Sequence, residues 1–269
     1  MPRAVLTLFA ALSLLVSCGA TAATSMAPSS EVRQALAPTG KLRVGINLQR
    51  IFLAKRDAAS GEVTGVAMDL GRSLAQRLGV TFEPVFYPNV GAVVDGVRDG
   101  AWDIAFLAVD PTRADLIDFT APYIEVDNTY LVPVDSPIRT VADADRPGVR
   151  IGVGLRNATG LFLKRTLKYA ELVGTQGVGA VELLRSGKVD IAAGSRDGLL
   201  VVQEKLSGYR LLDDRYNAVG HAIALPRGRA SGLPYVNAFV EEIKGSGVVA
   251  QAIAKHSIRG INVAPPATR

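Results

Sequence analysis

Two rhythms alternate along this chain. Short runs rich in β-branched residues, buried or alternating, are followed by stretches whose apolar positions recur at helical spacing. In the first half this predicts a strand at 41–47, a helix at 68–78 stopped by Gly79, and a strand at 81–87. A helix at 90–98 and a buried strand at 104–108 follow. Pro111 sits at a helix-start position, so 111–119 reads as one or two helical turns, and 129–134 reads as extended. The second half repeats the scheme: strand 150–153, helices 159–170 and 178–185, strand 191–193, helix 197–206, and strands 209–212 and 221–225. Amphipathic helices at 233–244 and 248–256 close the chain before a frayed, Pro-rich tail at 263–269. Strands alternating with helices imply mostly parallel sheets covered on both faces, an α/β class.

One pattern occurs twice. Arg98-Asp-Gly-Ala-Trp-Asp-Ile-Ala105 and Arg185-Ser-Gly-Lys-Val-Asp-Ile-Ala192 share Arg-x-Gly-x-x-Asp-Ile-Ala, each after an amphipathic stretch opened by Val-Gly-Ala-Val. Gly directly after a helical pattern marks a C-terminal cap, since only Gly takes the left-handed conformation at little cost. Each copy is therefore helix, tight turn and buried strand. The distance between copies exceeds the ~20–50 residues of a solenoid unit. Two similar α/β lobes are expected, with a small ligand in the cleft between them.

Composition narrows the function. At 269 residues, 48% apolar, the chain is long enough for two lobes with cores of their own. The net charge of +5 is dispersed, and no stacking aromatics interleave with the basic residues. That pattern belongs to an ordinary basic surface and not to a nucleic-acid footprint. Arg3 followed by the apolar run 4–16 has the make-up of a signal peptide: the run falls short of the ~20 residues that span a bilayer. Leu15-Val-Ser-Cys18 is similar to a bacterial lipobox, which makes Cys18 a lipidation candidate, while Ala20-Thr-Ala22 offers an ordinary cleavage site. With residues 1–23 as leader and 24–30 as a tether, Cys18 is the single cysteine, so neither a disulfide nor a thiolate metal site is expected.

From Gly40 to Pro226 the chain resembles the type II periplasmic solute-binding proteins, specifically the amino-acid-binding family of bacterial ABC importers. The resemblance is carried by Gly40-Lys-Leu-Arg-Val-Gly-Ile-Asn47, Gly65-Val-Ala-Met-Asp-Leu70 with Leu74-Ala-Gln-Arg-Leu-Gly79, and Arg113 with Ile117-Asp-Phe-Thr-Ala-Pro-Tyr123. Tyr130-Leu-Val-Pro, Gly187-Lys-Val-Asp-Ile and Ala222-Ile-Ala-Leu-Pro-Arg-Gly228 complete it. It implies a discontinuous first lobe, 38–128 plus 223–269, a second lobe at 131–218, and hinge strands near 128–132 and 219–223. It also implies a periplasmic monomer, free or tethered by an N-terminal lipid, that captures a small carboxylate-bearing solute, an amino acid or related organic anion, for an ABC permease and needs no cofactor or metal.

Ligands of open parallel sheets sit beyond the carboxyl ends of the strands. Four segments occupy such places: 47–52, 108–113, 154–160 and 194–197. In the family, the arginine matching Arg113 clamps the ligand carboxylate, a role that suits a planar bidentate donor. The alternative is an ion pair with Asp110 or Asp115, and Asp110 could hold the arginine away from a ligand. Asn157, Thr159 and Gly160 precede a helix whose free N–H groups suit an anion, although Thr159 serves equally as a cap. Arg156 adds positive potential there or is simply solvated. Asn47 and Phe52 follow the first strand, where the family stacks an aromatic on its ligand in a Pro-Pro-Phe context. Here Arg50-Ile-Phe52 replaces that context, and Phe52 suits core and pocket wall equally. A capping or packing role is expected for Asp69. Two departures bear on the ligand. The family Asp that pairs with an ammonium is replaced by Ser195, leaving Asp197 or Asp110 as substitutes, and the Thr-x-Thr run before Arg113 is missing.

A receptor that closes on its solute is the leading reading. A dehydratase on the same scaffold is the enzymatic alternative; His221 and His256 belong to no recognisable triad or metal-ligand spacing, which leaves a carboxylate such as Asp197 or Glu125 as its acid. A sensor module for a membrane receptor is the third. Gly152-x-Gly154 lacks the rest of a dinucleotide fingerprint.

Overall fold

The computed structural model describes residues 27–155, 157–175, 179–229 and 231–267. The leader, Cys18 and Arg156 lie outside the described residues. In chain order the elements are α1 (Ser30–Leu36), β1 (Lys41–Asn47), β2 (Lys55–Arg56), β3 (Val63–Thr64), α2 (Val66–Leu78), β4 (Thr81–Tyr87) and α3 (Val90–Asp95). Then come β5 (Ile104–Ala108), β6 (Ile117–Pro133), β7 (Arg150–Gly154), α4 (Ala158–Thr166), β8 (Glu171–Thr175), α5 (Ala180–Arg185) and β9 (Ile191–Ser195). The chain ends with α6 (Arg196–Lys205), β10 (Tyr209–Leu211), β11 (Asn217–Pro226), α7 (Leu233–Gly245), α8 (Val248–Lys255) and β12 (Ile261–Val263).

Ten of these strands form one sheet, in the order β4-β1-β5-β11-β6-β9-β7-β8, with β10 and β12 also paired to β6. At one end β4, β1 and β5 are parallel, and at the other β9, β7 and β8 are parallel. The long strands β6 and β11 run antiparallel between the two ends, from Ile117 beside Pro226 to Asn128 beside Asn217. Beyond Asn128, β6 continues alongside β9. The cores divide in the same way. One large cluster packs α1, β1, α2, α7 and α8 around Phe52, Phe106 and Tyr123, and another gathers Tyr130, Ile151, Val153 and Ile191.

Local sequence explains the elements that frame the ends of the sheet. In α2 the buried positions Val66, Leu70, Leu74 and Leu78 recur every four residues, and the helix ends at Gly79 with φ 69°. Gly65 precedes it at φ 146°, where a Cβ would lie 2.3 Å from the Leu53 carbonyl oxygen, so only glycine fits. The two copies of the duplicated motif share the turn but not the helix end: α3, expected to reach 98, stops at Asp95 with Gly96 as its cap, so Gly100 does not cap it, whereas α5 runs to Arg185. Gly100 and Gly187 turn at φ 59° and 68°, and each is followed by a strand, β5 or β9.

Three further segments depart from the sequence reading. Residues 117–128, read partly as helical turns, form the first two-thirds of β6, and only Pro111–Arg113 makes a 3-10 turn. The helix expected at 159–170 stops at Thr166, because the chain straightens at Leu167 and re-enters the sheet as β8. The tail expected to fray from 263 is held at its start, where Val263 ends β12 beside Ile124 and the Ala264 N–H bonds the Tyr123 carbonyl.

Candidate functional site

A cavity of about 270 Å³ opens where the two parallel ends of the sheet face each other. All four strand-end segments singled out in the sequence contribute to it: Asn47 after β1, Ala108 and Arg113 after β5, Gly154, Asn157, Ala158 and Thr159 after β7, and Ser195 and Asp197 after β9. Topology explains the convergence: β5, β11, β6 and β9 are successively antiparallel, so the parallel strands of the two halves run in opposite directions and their carboxyl ends face each other.

Arg113 is placed by a short chain reversal. The Asp110 carboxylate accepts the Thr112 N–H at 2.9 Å and Pro111 fixes the first position of the turn. The side chain is thereby carried back beneath β5, where Nη1 donates to the Ala108 carbonyl at 2.6 Å. Arg113 is only 5% exposed, yet it makes no ion pair with any described carboxylate. Burial lowers its proton affinity, Asp110 opposes this, and Arg50 adds to it; a guanidinium so placed still stays protonated. Asp110 does not cancel that charge by direct contact. Its carboxylate pairs instead with Arg165 of α4 at 3.3 Å and does not line the cavity. Burial raises the Asp110 pKa, but the Thr112 bonds, Arg165 and Arg113 outweigh it and hold the group below the usual range.

The opposite wall is the start of α4. Asn157 caps that helix by accepting the Gly160 N–H at 2.9 Å, so its side-chain oxygen is already engaged. Thr159 is the second residue of the helix, and its hydroxyl donates to Asn128 Oδ1 at 3.2 Å. The first N–H groups of α4, at Ala158 and Thr159, have no intrahelical acceptor and border the cavity.

Ser195 ends β9 at 5% exposure, and its hydroxyl accepts from Arg50 Nη1 at 2.7 Å. That bond and the Asp110–Arg165 pair join the two halves across the cavity. Asp197, the second residue of α6, is also 5% exposed; its Oδ1 is buried with no partner among the described residues. Asn47 lines the cavity, but its side-chain oxygen holds the Gln49 N–H at 2.9 Å and so shapes the loop that presents Arg50.

Phe52 is not part of the wall. It is fully buried in the large core cluster, edge-on to His221 with ring centroids 5.0 Å apart, while Ile51 and Leu53 on either side reach the cavity. Asp69 neither caps α2 nor approaches the cavity, because Gly65 is the cap and the carboxylate bonds Lys255 and His256, each at 2.9 Å. Two cavity residues were not singled out from sequence. Arg50 stands where the family's Pro-Pro-Phe context is broken, which was its only signal. His221 lies on β11 directly beside Ala108, so the strand pairing brings it next to the carbonyl that Arg113 bonds. Its Nδ1 is buried without a partner among the described residues, and burial, Arg50 and Arg113 push its pKa well below the ordinary value.

Comparison with known proteins places this geometry in a family. The model of bacterial extracellular solute-binding proteins, family 3, matches residues 42–258, and the chain belongs to that family. The amino-acid-binding protein AabA of Dichelobacter nodosus is 23% identical over 201 residues, covering 70% of this chain and 77% of that protein. The fold is shared with a putative ABC-transporter binding component from Wolinella succinogenes complexed with lysine. There the TM-score is 0.70 at 23% identity, over 81% of this chain and 95% of the other. It is shared too with the amino acid ABC transporter substrate-binding protein AbpA of Streptococcus pneumoniae bound to L-arginine, with TM-score 0.70, 21% identity and 84% and 99% coverage. An ancestral amino acid-binding protein described as a precursor of cyclohexadienyl dehydratase superposes with TM-score 0.69 at 23% identity, covering 84% and 99%. The architecture is thus the two-lobed type II binding-protein fold. No helix among the described residues is long and apolar enough to cross a membrane.

Proposed function

We infer that this protein is a periplasmic receptor that captures a small carboxylate-bearing solute, an amino acid or a related organic anion, and delivers it to an ABC permease. The observation that carries this reading is Arg113: a buried guanidinium facing an interlobe cavity with no carboxylate paired to it. Leaving a buried charge uncompensated is costly, so an anionic guest stabilises the site. One carboxylate oxygen pair is met by Arg113 in the first lobe, 38–128 plus 223–269, and the N–H groups opening α4 complete it from the second, 131–218. Contacts from both lobes exist only when these are together, so the ligand favours the closed state. The chain turns over as a monomer between open and closed forms about the 128–132 and 219–223 segments. Residues 1–23 direct export, ending either in lipid attachment at Cys18 or in cleavage after Ala22, which removes Cys18 with the leader.

The site is read as binding because its two cations, Arg50 and Arg113, hold charge and do not move protons; Asp197 and His221 also line the cavity, and the turnover assay below tests them as an acid or base. Calorimetry against amino acids and short carboxylates tests the assignment: Arg113→Ala is expected to weaken binding at least about a hundredfold, in line with loss of a charged bidentate contact. Undiminished affinity rejects the clamp, and turnover of prephenate or arogenate rejects the receptor.

A further inference from the structure

The ionised side chains among the described residues lining the cavity are two cations and one anion: Arg50, Arg113 and Asp197. The other candidates are removed by contacts already made. Asp110 is committed to Thr112 and Arg165. Ser195 contributes no charge and receives a hydrogen bond from Arg50. His221, between two guanidiniums and buried, is neutral at neutral pH. Asp197 is 95% removed from solvent with one carboxylate oxygen unpartnered, so it lacks a donor that nothing in the described protein supplies. Arg50, on the loop after β1, has a neutral hydroxyl as its bonded partner among the described residues.

We propose that the preferred guest is an acidic α-amino acid, bound with its α-carboxylate at Arg113, its ammonium at Asp197 and its side-chain carboxylate at Arg50 beside Ser195. The assignment of the α-carboxylate rests on the receptor reading above. Two negative groups and one positive group on the ligand then meet two positive groups and one negative group on the protein. A cationic amino acid, the kind bound by two of the solved relatives, reverses that balance and sets its side-chain charge against Arg50. A dicarboxylate lacking an ammonium leaves Asp197 unpaired and adds like charge beside it. A neutral side-chain amide offers Arg50 a weaker acceptor than a carboxylate does. Specificity of this kind is a difference of affinities, set as much by the mismatched pairs as by the matched ones.

Titration calorimetry of the full-length protein at pH 7.5 with L-glutamate, L-aspartate, L-glutamine, glutarate and L-arginine tests the assignment. Glutamate or aspartate is expected to bind at least about tenfold tighter than glutamine and glutarate, and about a hundredfold tighter than arginine, as one or two lost charge pairs dictate. Arg50→Gln should bring the glutamate-to-glutamine ratio close to one, and Asp197→Asn should do the same for glutamate against glutarate. Should either variant fail to fold, the wild-type ratios decide the matter alone. Arginine, glutamine or glutarate binding as tightly as glutamate overturns the inference while leaving an Arg113-dependent carboxylate receptor intact. Binding of no carboxylate, or binding that survives Arg113→Ala, overturns the reading beneath it as well.

Discussion

Asp103 holds Arg43 by backbone and side chain together: one carboxylate accepts the Arg43 N–H at 2.9 Å and its guanidinium at 2.7 Å. The duplicated motif places Asp190 in the same relation to Arg150, with distances of 2.8 Å for both contacts. The aspartate of Arg-x-Gly-x-x-Asp-Ile-Ala is thus the fastener between a strand, β5 or β9, and the parallel neighbour at its side, β1 or β7. The two copies differ in surroundings. Asp103 is fully buried and also receives Arg229 at 2.8 Å, whereas the Asp190 and Arg150 side chains are 39% and 40% exposed.

That difference predicts unequal mutational costs. Asp103→Ala strands two guanidiniums and a backbone N–H, and should lower unfolding stability by about 3 kcal/mol or more. Asp190→Ala removes a solvent-screened pair and should cost clearly less. Urea denaturation of the two variants measures the gap. Equal losses would mean that the fasteners do not depend on burial.

How much of this was legible in the sequence follows from which interactions were local. Strands β1, β4 and β5 fall at the predicted residues, because their apolar runs are bounded by Gly, Pro and Asn. Residues 117–119 were misread because Pro111 imitates a helix start, while what makes them part of a strand is pairing with β11, about a hundred residues away. Strand β8 is half-exposed and lies at the sheet edge, so it carries no strong alternation. The same division applies to the cavity. Its four wall segments were legible, since strand order alone puts them together. The direction of Arg50 was not, because its partner Ser195 is 145 residues distant. Nor was the choice of Phe52 for the core, which depends on the ring of His221 arriving from β11.

Gly160 supplies a second prediction. A Cβ there would lie 2.2 Å from the Gly154 carbonyl oxygen, so the start of α4 packs against the end of β7 with no room for a methyl group. Gly160→Ala must push the helix away from the strand, and with it the N–H groups that border the cavity. Solute affinity is expected to fall more than about tenfold with the far-ultraviolet spectrum little changed, since a displacement of even ~1 Å spoils bound geometry. Gly245, at the end of α7, has nothing within 4 Å of a built Cβ. Gly245→Ala should keep full affinity and add up to about 1 kcal/mol of stability, as removal of a helical glycine does. Calorimetry and thermal melts on the pair separate a steric effect from a general dislike of alanine. Wild-type affinity in Gly160→Ala would show that α4 does not touch the solute.

His221 makes the receptor's stability depend on acidity in a defined direction. Burial, Arg50 and Arg113 hold its folded-state pKa well below the ordinary 6.5. Above about pH 6.5 the imidazole is neutral in both folded and unfolded chains, and it contributes no slope. As pH falls through that value the unfolded chain takes up a proton that the folded one refuses. Stability is therefore lost on acidification, at up to about 1.4 kcal/mol per pH unit, until the folded-state pKa is reached. An anionic guest beside Arg50 and Arg113 offsets the field that repels the proton. Saturating solute should then raise the imidazole pKa and reduce the slope below pH 6.5, and by linkage capture should draw a proton from acidic solution. Thermal melts between pH 5 and 7.5, with and without solute, read the first effect; calorimetry in buffers of different ionisation enthalpy reads the second. His221→Gln should flatten the ligand-free profile over that range. An unchanged slope in this variant would locate the acid sensitivity elsewhere in the fold and sever His221 from the charge balance of the cavity.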